Sequence, residues 1–101
     1  MSKTLAERLG EDRRRKVLEL LNEGGRANED SIKRMLRWCF DDAIGRDDVR
    51  QLMTWLEQHQ LLRVERLPLA GDELWAAELT EPGQSVARGR KHVGIADRDA
   101  R

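Results

Sequence analysis

Apolar residues recur at helical spacing in three successive stretches of the first 60 residues. The apolar stripe of the first stretch, TLAERLGEDRRRKVLELLNEGG, consists of Leu5, Leu9, Val17, Leu20 and Leu21. This stretch ends at the glycine pair 24–25, because glycine accepts the left-handed conformation that closes many helices. Gly10 leaves two interpretations open, one long helix or two shorter ones.

The second and third stretches predict further amphipathic helices. Asn28 begins the second, since its side chain can accept hydrogen bonds from the free amides of a first turn. Its apolar stripe contains Ile32, Met35, Leu36 and Cys39. The third stretch, GRDDVRQLMTWLEQHQLL, carries an apolar stripe of Val49, Leu52, Met53 and Leu56. The opposite face of this third helix is predicted to be exposed and wholly polar, with Asp47, Arg50, Gln51, Thr54, Glu57 and Gln58.

The hydrophobic period changes from helical to alternating after residue 61. LLRVERL and ELWAAEL alternate apolar and polar residues, and the intervening PLAGDE carries turn signals. Together they predict a β-hairpin with a loop of moderate length. Thr80 is placed to cap a short helix with Pro82 in its first turn. Residues 93–101 show little periodicity and are predicted to be a flexible tail.

This order of elements resembles the winged helix-turn-helix fold. The resemblance is carried by RKVLELLNEGG, by EDSIKRMLRWCFDDAIGRDDVRQLMTWLEQHQLLRVE and by LWAAELTEPGQSVARGR. More narrowly, the sequence resembles small winged-helix proteins of the ArsR-like type found in Mu-like prophages. The resemblance implies a mainly α protein of the α+β class, with three helices, a β-hairpin wing and a short C-terminal helix. We expect one winged-helix domain over residues 1–92 that includes an N-terminal helical extension.

Charge and composition narrow the possible partners. The chain has 19 basic and 19 acidic residues, so any attraction to nucleic acid must come from locally placed charge. Its single cysteine, Cys39, excludes an internal disulfide, and its apolar neighbours predict that it is buried. No apolar run reaches the ~20 residues that span a membrane, and the start does not resemble a signal peptide. We therefore expect a cytoplasmic protein without a membrane partner.

The resemblance implies that the third helix enters the major groove of DNA. The residues it places against bases are Arg46, Arg50, Gln51, Thr54 and Gln58. Lys33 and Arg34, near the start of the second helix, are expected at phosphates, and Arg63 and Arg66 belong to the wing. The run of Arg88, Arg90 and Lys91 is uninterrupted by acids, so it is a further candidate for phosphate contact.

The charge of the expected reading surface opposes this docking mode. Residues 46–60 carry two basic against three acidic residues, and residues 61–79 carry two against four. Duplex DNA, with one negative charge per ~1.7 Å, would repel an acidic wing tip. The RRRK run of residues 13–16 fits a solvated, ion-paired helix surface better than a phosphate site. A winged-helix module that binds proteins is therefore the alternative to DNA binding.

Tryptophan is unusually frequent, with three residues in 101. Trp75 is predicted on the buried face of the hairpin. Trp38 and Trp55 each lie about 120° from the centre of their apolar stripe, so each is either a core-edge residue or part of a partner surface. With Leu5 and Leu9 they are the candidate interface of a homodimer.

Catalytic and metal chemistry find no support in the sequence. It lacks a glycine-rich phosphate loop, and its serine, histidine and carboxylate residues do not form a recognisable catalytic arrangement. The metal-sensing chemistry of ArsR repressors does not carry over, because Cys39, His59 and His92 have no ligand spacing. We therefore predict no enzyme activity, no cofactor and no small-molecule ligand. The predicted function is a phage- or prophage-associated transcriptional regulator that binds duplex DNA as a homodimer. The alternative is an interaction module in phage DNA handling or assembly.

Overall fold

The computed structural model describes residues 2–98, which form four helices and a three-stranded antiparallel sheet. The helices are α1 (Leu5–Gly24), α2 (Glu29–Cys39), α3 (Arg46–Gln58) and α4 (Glu81–Ala87). The strands are β1 (Ala27–Asn28), β2 (Leu62–Leu69) and β3 (Asp72–Leu79), in the spatial order β1-β3-β2. The predicted mixture of helices and a hairpin is confirmed, and the short β1 is an addition that the sequence pattern did not predict.

The helix termini follow local sequence signals. Asn28 caps α2 by accepting a hydrogen bond from the Ser31 amide at 2.9 Å. Thr80 caps α4 by accepting one from the Gly83 amide at 3.0 Å. Both caps confirm the predictions, since each satisfies an amide that the first turn leaves unpaired. α1 is one continuous helix through Gly10, which excludes the two-helix interpretation.

β2 and β3 pair along their whole length and leave a turn of two residues. Ala70 and Gly71 have φ angles of 43° and 86°, as a tight hairpin turn of this hand requires. The predicted loop of moderate length is therefore wrong. Pro68, predicted in the turn, lies within β2 opposite Glu73. β2 is an edge strand, where the missing amide of proline does not break the ladder.

The core lies between the helices and one face of the sheet. Its buried apolar side chains are Val17, Leu18, Leu21, Ile32, Leu36, Ile44, Val49, Leu52, Met53, Leu56, Leu61, Leu62, Ala77, Leu79, Val86, Ala87 and Ile95. The four apolar residues predicted on the stripe of α3 are all among them, so its orientation is confirmed. Across residues 2–98, no helix combines the length and the apolar composition needed to cross a membrane.

The buried face of α2 is rotated from the predicted one. Cys39 is exposed and Met35 is 41% exposed, so the predicted burial of Cys39 is wrong. Ile32, Leu36 and an acidic residue, Glu29, form the buried face instead. At about 100° per residue, including Glu29 moves the centre of this face away from Cys39. A stripe predicted from apolar residues alone omits Glu29.

A buried arginine closes the end of α4. Arg15 is 6% exposed, and its guanidinium donates to the carbonyls of Val86 at 2.6 Å and Ala87 at 3.3 Å. Its Nε donates to the Ala96 carbonyl at 2.8 Å. A cation at these terminal carbonyls satisfies acceptors that the helix leaves unpaired and complements its negative end. The prediction of a solvated, ion-paired surface for this run is therefore wrong for Arg15.

The segment after α4 returns to α1. Arg14 donates to the Gly94 carbonyl at 2.8 Å, and Ile95 is 4% exposed within the core. Residues 94–96 of the predicted flexible tail thus contact the body of the protein, whereas residues 99–101 lie outside the described part of the chain. The flexibility of this tail in solution stays a prediction.

The close packing of α4 on residue 61 generates a stability prediction. A Cβ on Gly83 would lie 2.0 Å from the carbonyl oxygen of Leu61, too close for any contact. We expect Gly83→Ala to lower the free energy of unfolding by about 1–3 kcal/mol, because the backbone must shift. Urea unfolding followed by circular dichroism measures this. Gly24→Ala is the matched control, since no heavy atom lies within 4 Å of its added Cβ. Equal stability of the two variants would contradict the prediction.

Candidate nucleic-acid interface

A buried carboxylate joins α2, α3 and β3 beneath the predicted reading surface. Glu29 is the first residue of α2 and is 1% exposed. Its Oε1 accepts hydrogen bonds from Nε of Arg50 at 2.7 Å and Nε of Arg46 at 3.1 Å. Its Oε2 accepts from Nη2 of Arg50 at 2.9 Å and from the Trp75 amide at 2.6 Å. Both oxygens are therefore fully satisfied, which is the condition for burying a charge.

Hydrogen bonding decides the ionisation of this carboxylate. Burial acts to raise the pKa of Glu29, but hydrogen bonds from Arg50, the Trp75 amide and Arg46 outweigh burial. Together they lower the pKa from 4.5 to about 2. The position of Glu29 in the first turn of α2 also favours its anionic form. The group thus remains ionised at neutral pH despite its burial.

The same two arginines reach onward to the hairpin. Arg46 donates to Oδ2 of Asp72 at 2.9 Å and to the Glu73 carbonyl at 2.6 Å. Arg50 donates to the Glu73 carbonyl at 3.0 Å. Hydrogen bonds to Asp72 and Glu29 raise the pKa of Arg46. Both guanidinium groups are paired with acceptors on α2 and β3, so they join α3 to β3, although the Arg46 side chain is 40% exposed. Their assignment as base contacts stays a prediction.

Trp75 extends this network on the hairpin. The guanidinium carbons of Arg50 and Arg66 lie 4.6 Å and 4.3 Å from its ring centroid, within cation–π range. Arg66 also forms an ion pair with Glu57 of α3 at 3.0 Å. The Trp75 side chain is half-buried and packs against the core, in agreement with its predicted position. Sequence reasoning missed the stacking, because its partners come from different elements.

The outward face of α3 carries polar side chains that make no hydrogen bond within the described protein. Gln51 and Gln58 are exposed and Thr54 is half-buried. All three border one shallow hollow together with Asp47 and Trp55. Within residues 2–98, the structure gives the side chains of these two glutamines and the threonine no hydrogen-bond partner. The predicted exposed polar side of α3 is confirmed for Gln51 and Gln58, whose donors and acceptors are available to a ligand, whereas Thr54 is half-buried.

The prediction of an exposed face is wrong for Arg50 and Glu57, which are half-buried and ion-paired with Glu29 and Arg66.

The other predicted DNA-contact residues come from separate elements. They lie on the outer side of α2 (Lys33 and Arg34), on β2 (Arg63 and Arg66) and after α4 (Arg88, Arg90 and Lys91). Arg63 pairs with Glu78 at 3.1 Å, and Lys91 lies 4.0 Å from Asp97. Arg88 borders a hollow at the end of α1, away from the residues of the α3 hollow. The cations thus come from three separate segments of the chain.

The candidate dimer residues fall into two separate patches. Leu9 and Trp55 border a hollow between α1 and α3, and Leu5, which is 74% exposed, lies one helical turn before Leu9. Trp38 is 86% exposed and borders a different hollow on α2. The ring of Trp55 stacks on His59 with their centroids 3.6 Å apart. The homodimer itself stays a prediction.

Metal ligands are not assembled in the described part of the chain, where no group of three or more His, Cys, Asp or Glu side chains could hold an ion. His59 and His92 do approach each other, with ring centroids 5.7 Å apart. Each Nδ1 contacts a backbone carbonyl, that of Trp55 for His59 and that of Val93 for His92. Both histidine rings also contact the ring of Trp55, so we interpret the pair as part of an aromatic packing cluster.

Comparisons with known proteins identify a sequence relative and similar structures. No protein-family model matches the chain. The uncharacterized protein gp26 of Escherichia phage Mu is 35% identical over 88 residues, which cover 84% of each chain. A transcriptional regulator homologue from Pyrococcus horikoshii has a similar structure, with a TM-score of 0.59 at 17% identity over 74% of this chain and 68% of its own. A mutant of ZitR from Lactococcus lactis in apo form gives 0.59 at 25% identity over 82% of this chain. The chain spans 56% of that ZitR structure.

The buried carboxylate predicts a specific dependence of stability on pH. The pKa of Glu29 is lower in the folded protein than its ordinary value of 4.5. Its stabilising contribution is therefore fully present above about pH 4.5 and is lost as the pH falls toward 2. The shift corresponds to roughly 3 kcal/mol. We expect Glu29→Gln to be less stable at pH 7 by about this amount and to lack this part of the acid dependence.

Urea unfolding between pH 2 and pH 7 measures the difference. Glu23→Gln is the matched control, since Glu23 is exposed near the end of α1, and it should follow the wild type. If the curves of Glu29→Gln and wild type run parallel across the acidic range, Glu29 does not have the proposed role.

Proposed function

The chain belongs to the family of the phage Mu protein gp26, and we propose that it is a winged helix-turn-helix protein of the small ArsR-like type that binds duplex DNA. In this proposal α3 enters the major groove, and β2 with β3 is the wing. The order of α1, α2, α3 and the hairpin supports it, as does the likeness of fold to the transcriptional regulator homologue. The biological role that we propose is regulation of transcription in a phage or prophage, within the host cytoplasm.

One observation carries the proposal: α3 presents neutral hydrogen-bonding groups outward while its other side is fixed. Gln51, Thr54 and Gln58 border the outward hollow of α3. Glutamine can make paired hydrogen bonds to adenine, and the threonine methyl can contact the methyl group of thymine. The buried apolar stripe and the Glu29 network hold the helix in place, so these groups meet a base edge already oriented.

The arginines divide between positioning and phosphate contact in this proposal. Arg46 and Arg50 orient the start of α3 through Glu29, and they contact no base unless those ion pairs open. Phosphate contacts are assigned to Lys33 and Arg34 on α2 and to exposed Arg90 after α4. These contacts supply affinity without reading sequence, since phosphates carry no sequence information.

Binding of a protein partner is the second candidate function. It is favoured by the charge of residues 46–79, which carry four basic against seven acidic residues. The acidic pair Asp72 and Glu73 adjoins the hairpin turn, where a wing would meet the phosphate backbone. In this alternative, α3 and the hairpin contact a basic partner protein during phage DNA handling or assembly.

Duplex binding is tested directly by gel shift at ~50 and ~200 mM salt. We expect a mixed-sequence duplex to bind and to lose affinity steeply with added salt, because phosphate contacts release counterions. After selection of a preferred sequence from a random pool, Gln51→Ala should lower its preference about tenfold, as loss of one paired base contact does. Gln84→Ala, an exposed glutamine on α4, is the matched control. No duplex binding at ~50 mM salt would overturn the DNA-binding proposal and leave the protein-partner candidate.

We further propose that two copies associate through the start of α1, where Leu5 and Leu9 project from the core. The double variant Leu5→Ser, Leu9→Ser should reduce the mass measured by light scattering from two chains to one. Leu69→Ser is the matched control, since Leu69 is 54% exposed on the hairpin and should leave the mass unchanged. A wild-type protein of single-chain mass would contradict the dimer.

A further inference from the structure

The outer face of α2 carries the most exposed aromatic ring among residues 2–98. Trp38 is 86% exposed, and neighbouring Met35 is 41% exposed. They border a shallow hollow whose other lining residues are charged: Asp30, Lys33, Arg34, Arg37 and Asp42. Trp38 points away from the core, so packing within one copy of the chain does not account for it. We call the group of Lys33, Arg34, Arg37 and Trp38 the α2 platform.

The cations of the α2 platform have no acidic partner within the described chain. No carboxylate of residues 2–98 lies within 4.0 Å of Lys33, Arg34 or Arg37, whereas Arg50 and Arg66 are each paired with a glutamate. Arg34 and Trp38 are four residues apart, as are Lys33 and Arg37, so each pair lies on one side of the helix. Three cations without an ion-pair partner therefore lie beside an exposed aromatic ring, and they outnumber the two aspartates, Asp30 and Asp42, that border the same hollow.

This combination fits one kind of ligand. Proteins that bind single-stranded nucleic acid stack bases on aromatic side chains and hold the backbone with cations. Trp38 offers an unobstructed ring to a base, and the three cations are available to the flanking phosphates. We propose that the α2 platform is a binding site for single-stranded nucleic acid. The site lies outside the outward face of α3 and adds a single-stranded ligand to the proposed duplex binding, with which it shares the cations Lys33 and Arg34.

A second copy of the chain fits the α2 platform less well. A stable protein interface buries about 800 Å² on each partner and has an apolar centre. One tryptophan exposes at most about 250 Å², and the only other apolar residue bordering this hollow is Met35. The remaining neighbours are charged, and desolvating them would oppose association. Stacking of a base needs only one ring face, so the small apolar area suffices for it.

Binding of oligodeoxythymidylate of about 12 nucleotides tests the proposal. We expect binding to quench tryptophan fluorescence and Trp38→Ala to weaken affinity about tenfold or more, while Trp38→Phe retains most of it. Lys33→Ala and Arg37→Ala should each reduce the slope of log affinity against log salt by about 0.7. Leu69→Ala, which removes an exposed apolar side chain from the hairpin, is the matched control. Since Trp38 is exposed, circular dichroism should show the fold of each Trp38 variant unchanged.

The single cysteine gives a second readout at the same place. Cys39 is exposed and directly follows Trp38 in the chain. A bound oligonucleotide should slow alkylation of Cys39 by iodoacetamide in the wild type and much less in Trp38→Ala. The same oligonucleotide hybridised to its complement should protect Cys39 less, because its bases are already stacked.

Three results would overturn the α2 platform as a nucleic-acid site: no oligonucleotide binding at ~50 mM salt, affinity unchanged in Trp38→Ala, or a Trp38-dependent change in mass without any change in oligonucleotide affinity. The last result would indicate a protein interface. Different variants test the duplex proposal, so the failure of one proposal can be distinguished from the failure of the other. Gln51→Ala should alter duplex preference and leave oligonucleotide binding intact, whereas Trp38→Ala should do the opposite.

Discussion

The orientation of α3 depends on one buried charge. Glu29 accepts hydrogen bonds from two arginines of α3 and from the backbone of β3, while its own backbone begins α2. Three elements that are distant in sequence are thereby fixed around a single carboxylate. Apolar packing alone tolerates some sliding between helices, whereas four directional hydrogen bonds do not. The outward face of α3 is therefore set in a defined relation to the hairpin.

The protein is neutral overall, but it uses its arginines in two different ways. Around Glu29 and Trp75 the arginines neutralise acids and stack on an aromatic ring, so they contribute to structure. On α2 and after α4, the cations face solvent and remain available to anions. In the proposed duplex complex, these exposed cations are the source of long-range attraction to phosphate, while α3 itself offers neutral amides. Amides act only at contact distance, where they distinguish one base edge from another.

The sequence predicted the features that depend on residues close together in the chain. The helices and hairpin follow from periodicity, and the caps at Asn28 and Thr80 follow from residue type at a helix start. The burial of Glu29 could not be predicted in this way, because its side-chain partners lie 17 and 21 residues ahead and its backbone partner 46. Nothing local separates it from Asp30, the adjacent acid, which is exposed. Because the buried face of α2 includes Glu29, the prediction that Cys39 is buried is also wrong.

The contacts of Arg15 have a consequence for the order in which the fold is completed during synthesis. Its acceptors lie 71, 72 and 81 residues further along the chain. On the ribosome, α1 is made before the segment after α4, so the Arg15 guanidinium lacks its buried acceptors until Val86 and Ala87 have been translated, and its third acceptor, Ala96, follows them. A charge without partners resists burial, so the nascent helix stays hydrated while the middle of the chain emerges. Packing of α1 against the rest of the domain is thus completed only after α4 and the segment that follows it have been made.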